Sequence, residues 1–98
     1  MQFLVFTSPT AAAVARPPPA AEFARQTAWF QAALVDGAVA NAWHGEGHAV
    51  FVFNAASREA LDALIQAIPL TEQMQVRVET LIDLFEHTSR VQAYLERL

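Results

Sequence analysis

The chain has 98 residues, 54% of them apolar, and a formal net charge of −4, which describes one domain with enough apolar mass to exclude general disorder. All six cations are arginines, scattered at Arg16, Arg25, Arg58, Arg77, Arg90 and Arg97; lysine acid–base and Schiff-base chemistry are excluded, and no basic stripe for nucleic acid forms. Cysteine is absent, which removes disulfides, thiolate metal sites and cysteine nucleophiles and suits a reducing cytoplasm.

The first element is the apolar run Gln2 to Thr7, a buried strand. Its N-terminal flank carries no positive side chain and Ser8-Pro9 interrupts the run, so no signal peptide is expected. No stretch of about 20 apolar residues exists to cross a membrane. The Pro/Ala-rich segment 10–19 follows, and its Pro17-Pro18-Pro19 run predicts an extended surface loop. A helix is expected from Pro19 or Ala20. Phe23, Thr27, Phe30 and Leu34 share one of its faces, with Trp29 and Ala33 beside them, and Gly37 is a left-handed C-cap. Val39 to His44 and His48 to Phe53 read as two strands joined by Gly45-Glu46-Gly47.

Ser57 is the N-cap of a second helix with an apolar stripe at Leu61, Leu64, Ile65 and Ile68. Pro69 lacks an N–H and pushes Ile68 out of helical geometry, so this helix ends there. The last strand begins at Met74, with Met74, Val76 and Val78 on one face and Gln75, Arg77 and Glu79 on the other. It is expected to run through Leu81 or Leu84. The tail 88–98 predicts a short helix capped by Ser89, with Val91, Tyr94, Leu95 and Leu98 on one side.

The order β-α-β-β-α-β is the ferredoxin-like split pattern. It predicts an α+β domain over residues 1–98, with a four-stranded antiparallel sheet, two helices on one face, and a short C-terminal helix. The uncovered face is expected to hold Leu4, Phe6, Phe51 and Phe53, too apolar for water. A second copy packed sheet to sheet would cover it, giving a homodimer or a higher homo-oligomer.

Three stretches, "GAVANAW", "FVFNAASREALDALIQAIPL" and "MQVRVETL", resemble the muconolactone isomerase family over roughly residues 20–84. The matching features are Gly37, Trp43, Phe53-Asn54, Glu59 to Leu64, Ile68-Pro69-Leu70 and Met74 to Val78. The spacing of the proline and the Met-x-Val-x-Val strand is the most specific of them. The resemblance implies a dimeric α/β-barrel and cofactor-free proton transfer beside a lactone carbonyl. It also implies departures. The family's Glu-Glu-Lys run corresponds to Arg25-Gln26-Thr27 here, the arginine after the strand-two tryptophan is His44, and the hairpin is shorter. A shared scaffold does not by itself transfer activity.

The polar residues left to carry such chemistry are few. A histidine side chain can act as a general base near neutral pH, and His44 is the candidate for that role. Glu22 and Glu46 are candidates for a second acid or base. Arg25 and Arg77 could anchor a substrate carboxylate, Arg77 through two parallel hydrogen bonds. Trp29 and Trp43 are core or interface residues by default and ligand-stacking walls as the alternative, and Phe51 reads the same way with core favoured. Glu22 and Arg25, three apart on one helix, read by default as a solvated helix pair. His44, Glu46 and His48 alternate, but the glycine turn breaks their parity and no third firm ligand is visible, so no metal is expected.

These residues predict a muconolactone-isomerase-like protein that isomerises a small cyclic or carboxylated molecule without a cofactor. The expected partners are a small-molecule ligand and another copy of the chain, with no nucleic acid and no membrane. The rival readings are a non-catalytic ligand-binding or assembly module and a cofactor-free oxygenase or cyclase of the same barrel architecture.

Overall fold

A computed structural model describes residues 1–98. The elements in chain order are β1 (Gln2–Pro9), α1 (Ala11–Ala15), α2 (Ala20–Asp36), β2 (Val39–Gly45), β3 (His48–Asn54), α3 (Arg58–Ala67), a 3-10 turn (Thr71–Gln73), β4 (Met74–Leu81) and α4 (Leu84–Glu96). The strands form one antiparallel sheet in the order β2-β3-β1-β4. This is the expected α+β, ferredoxin-like arrangement.

The strand register divides the sheet into two faces. On the helix-covered face, one cross-strand row is Ala42, Phe51, Val5 and Val78, and the next is His44, Ala49, Thr7 and Val76. On the open face the rows are Asn41, Val52, Leu4 and Glu79, then Trp43, Val50, Phe6 and Arg77. Phe51 and Phe53 therefore do not join Leu4 and Phe6 on the open face as expected. They pair with Val5 and Phe3 and lie in the core with Ala33, Val39, Leu61, Ile65 and Ile68. The run Val-Phe-Val-Phe is apolar at both parities, so only pairing with β1 decides which parity meets the helices.

The local signals at α3 operate as expected. The Ser57 hydroxyl accepts from the Ala60 N–H at 3.1 Å, and Ile68 is extended (φ −65°, ψ 126°) ahead of Pro69. Gly37 closes α2 in the left-handed region (φ 88°).

Two boundaries differ from expectation. The segment 10–19 is not all loop. Ala11–Ala15 is helical, and the Thr10 hydroxyl caps it by accepting from Ala13 N–H at 3.1 Å. Alanine is the best helix former, and the prolines that oppose helix begin only at Pro17. The C-terminal helix starts at Leu84 rather than at Ser89. The Asp83 carboxylate accepts from Phe85 and Glu86 N–H at 2.9 and 3.0 Å, a stronger cap placed earlier in the chain. Every residue of α4 is exposed. The radius of gyration is 16.7 Å, against about 13 Å for a compact chain of this length, because this helix extends away from the sheet.

Candidate functional site

In the row of His44, Ala49 and Thr7 the two central positions are the small residues Ala49 and Thr7, while the row beneath carries Phe51. Helix α2 spans both rows, so the small row leaves space under it. The result is a cavity of about 520 Å³, within the range of about 300–1,000 Å³ typical of small-molecule sites. Phe23, Phe30 and Leu34 of α2 form one wall, and Phe51 with Ala49 forms the floor. Phe30 lies flat against Phe51, with ring centroids 4.3 Å apart and planes 5° from parallel. Ala13 of α1 closes one side and is buried there.

The polar groups in this wall are hydroxyls, amides and two imidazoles. Thr7 is only 7% exposed. Gln26 Nε2 donates to the Pro69 carbonyl at 2.9 Å, which ties α2 to the segment after α3. Gln73 Oε1 is buried with no hydrogen-bond partner. His48 Nδ1 donates to the Glu46 carbonyl at 2.9 Å. A carbonyl only accepts, so the Nδ1 proton is fixed and the neutral ring presents Nε2 as an acceptor. Gly45 makes this ring position possible, since a Cβ there would lie 2.5 Å from the His48 ring.

Of the residues singled out from the sequence, His44 and Phe51 line this cavity. Trp43 does not, although it is the neighbour of His44. A β-bulge between Val39 and Asn41 inserts Ala40 and resets the alternation. It lets Val39 enter the core, turns Trp43 onto the open face, and turns His44 toward the cavity. Trp29 packs into the core, edge-on to Phe30 at 5.2 Å and beside Phe53 at 6.5 Å. Glu22 and Arg25 are exposed on α2, outside the cavity lining and not ion-paired with each other. Their positions fall on the helix surface turned from the Phe23, Phe30 and Leu34 stripe. Glu46 sits in the two-residue hairpin loop and contributes its carbonyl to His48. Arg77 lies on the open face, 4.0 Å over the Phe6 ring and paired with Glu79. No group of three His, Cys, Asp or Glu side chains comes close enough to hold a metal ion.

Sequence reading passed over Thr7, Gln26, Phe30 and Gln73 as site residues, and weighed His48 only within the His44, Glu46 and His48 alternation. The helix stripe contained Phe30 and could have led to it. Nothing local marks Thr7 or Gln73, which reach the cavity only through strand register and the turn before β4.

No family model matches the chain, and no curated protein matches its sequence. Among solved structures it is similar to the crystal structure of muconolactone isomerase, with a TM-score of 0.70 and 24% identity over 85% of this chain and 90% of that one. The chain has a muconolactone isomerase-like fold. At this identity the likeness to muconolactone isomerase establishes the architecture, and the chemistry has to be argued from the residues present. No helix is long and apolar enough to cross a membrane.

Proposed function

We propose that the chain binds a small cyclic molecule in the cavity under α2 and moves one of its protons without a cofactor. The observation that carries this reading is the bulge-directed placement of His44 at an apolar cavity of ligand size. In the proposed step, the neutral His44 imidazole takes a proton from a carbon beside a ring carbonyl. The C–H electron pair moves into the ring as an enolate, and the Thr7 hydroxyl is an available donor to its oxygen. The imidazolium then returns the proton to the distal carbon, which shifts the double bond into conjugation. Atoms and charge balance within the substrate and one histidine. His48, with its tautomer set by Glu46, is the second group able to shuttle a proton.

The proposed partner is a second copy of the chain. The open sheet face presents Trp43 at 54% exposure together with half-buried Leu4, Phe6, Val50 and Val52, and sheet-to-sheet packing would remove it from water.

Isomerisation of a neutral β,γ-unsaturated butenolide, followed by ultraviolet absorbance of the conjugated product, tests the reading. Turnover is expected, with His44→Ala slower by about 100-fold or more. Unchanged turnover in His44→Ala would remove His44 from the chemistry. A second reading, ligand binding without turnover, draws on the absence of any Asp, Glu or Arg from the cavity lining. Saturable butenolide binding with no isomerisation would favour it.

A further inference from the structure

We infer that α4 is an arm that packs its apolar stripe on a second copy of this chain, extending the sheet-to-sheet contact proposed above. The inference rests on that partner and is independent of the chemistry at His44.

The helix is amphipathic, and its apolar side has nothing to lie on. Leu84, Thr88, Val91, Leu95 and Leu98 alternate in steps of four and three residues, which puts them on one stripe. Tyr94 borders it. Glu86, Ser89, Arg90 and Ala93 fall on the other side, where Glu86 pairs with Arg90. Leu84, Val91, Tyr94, Leu95 and Leu98 are between 42% and 87% exposed, and no residue of α4 is buried. A helix of 13 residues is marginal in water without packing on its apolar side, so this stripe needs a partner.

That partner is not the chain's own body. Only Ile82 and Asp83 separate α4 from Leu81, the last residue of β4. The helix leaves the sheet from there and draws the chain out to 59 Å, against 28 and 22 Å in the other two directions. A second copy is placed to meet it. Leu81 pairs with Gln2, two residues on from the Leu4 and Glu79 pair, and so falls on the open face. Exposed apolar surface therefore runs from that face through Leu81 and Ile82 into Leu84 and Phe85. Whatever covers the sheet meets the root of α4.

Area and charge both favour a copy over other occupants. On the open face only Trp43 is largely exposed, while Leu4, Phe6, Val50 and Val52 are already half-buried, so the sheet alone offers little apolar area. The α4 stripe with Phe85 adds roughly 700 Å² at the exposures given, taking about 150–250 Å² for a whole large side chain. That brings the contact to the roughly 800 Å² per partner of a stable interface. Under two-fold symmetry each copy gives one arm and receives one. A lipid surface lacks this support, because between Leu84 and Leu98 the cations Arg90 and Arg97 are matched by Glu86 and Glu96, leaving no basic excess to seek anionic lipid.

Sedimentation equilibrium of the purified full chain over a wide concentration range tests the arm. The chain is expected to associate, and its far-ultraviolet helical ellipticity to rise with concentration as α4 docks. Val91→Glu with Leu95→Glu, both exposed in the single chain, should weaken association by about 100-fold or more while the urea midpoint of dilute protein stays as in the parent. Ser89→Glu with Ala93→Glu places the same charge on the polar side of α4 and should leave association unchanged. Trp43→Glu reports on the sheet contact separately. Loss of association in Trp43→Glu but not in the Val91→Glu, Leu95→Glu pair would overturn the arm and leave the sheet-to-sheet partner standing. Equal weakening by the Ser89→Glu, Ala93→Glu pair would remove the stripe from the contact. A parent chain that stays monomeric at every concentration would overturn both the arm and the partner. Co-sedimentation of a monomeric chain with phosphatidylserine-containing vesicles, lost in the Val91→Glu, Leu95→Glu pair, would overturn the arm in favour of a lipid surface.

Discussion

The division of the sheet into a core face and an open face can be tested by truncating one phenylalanine on each. Phe53 is 0% exposed and packs beside Trp29 and Phe51, at ring distances of 6.5 and 6.1 Å. Phe53→Ala removes a fully buried ring from a packed core, which costs about 3–5 kcal/mol. That is a large share of the roughly 5–15 kcal/mol that holds a typical domain. For a chain of this length the melting temperature should fall by about 12 °C or more. Phe6 is half-buried on the open face beneath Arg77. Phe6→Ala loses partial burial plus an exposed cation–π contact, roughly 1–2 kcal/mol together. Urea unfolding followed by tryptophan fluorescence reports both, since Trp29 adjoins Phe53. Dilute protein gives the intrinsic costs. If a second copy covers the open face, the penalty of Phe6→Ala should grow with protein concentration while that of Phe53→Ala should not. Equal costs in dilute protein, or a larger cost for Phe6→Ala, would refute the assignment of the faces.

Three further outcomes are expected. Gly45→Ala should push the His48 ring off the end of β2 yet cost under about 1 kcal/mol, because the clash is with a movable side chain; unchanged His48 proton and nitrogen NMR shifts would contradict this. Asp83→Ala removes the cap of α4 and should weaken that helix by about 1 kcal/mol, seen as lost far-ultraviolet helical ellipticity with no change in the sheet, since every α4 residue is exposed; loss of the whole fold would show that α4 is packed after all. Arg77→Ala should change global stability by no more than about 1 kcal/mol, the pair with Glu79 being exposed, and should leave butenolide turnover unaltered; a marked loss of turnover would place Arg77 in the site.

What the sequence determined by itself was local. Pro69 and Ser57 bound α3, Gly37 ends α2, and the alternation from Met74 makes β4, because each signal acts through the backbone of its own few residues. Together with the element order these were enough for the fold class. The Ala11–Ala15 helix was also legible in its alanines but was masked by the prolines beyond it. Which residues meet was decided only by tertiary structure. The faces of β3 are equally apolar, so Phe51 and Phe53 became core residues through their register with β1. His44 and Trp43 are adjacent and looked alike as site candidates, and one inserted residue at Ala40 sent them to opposite faces. Thr7 and Gln73 lie far apart in the chain and carry no motif. They share a cavity because antiparallel pairing brings the end of β1 beside the turn into β4. Period and propensity are properties of neighbours in sequence, whereas a site is a property of neighbours in space, and a single bulge is enough to separate the two.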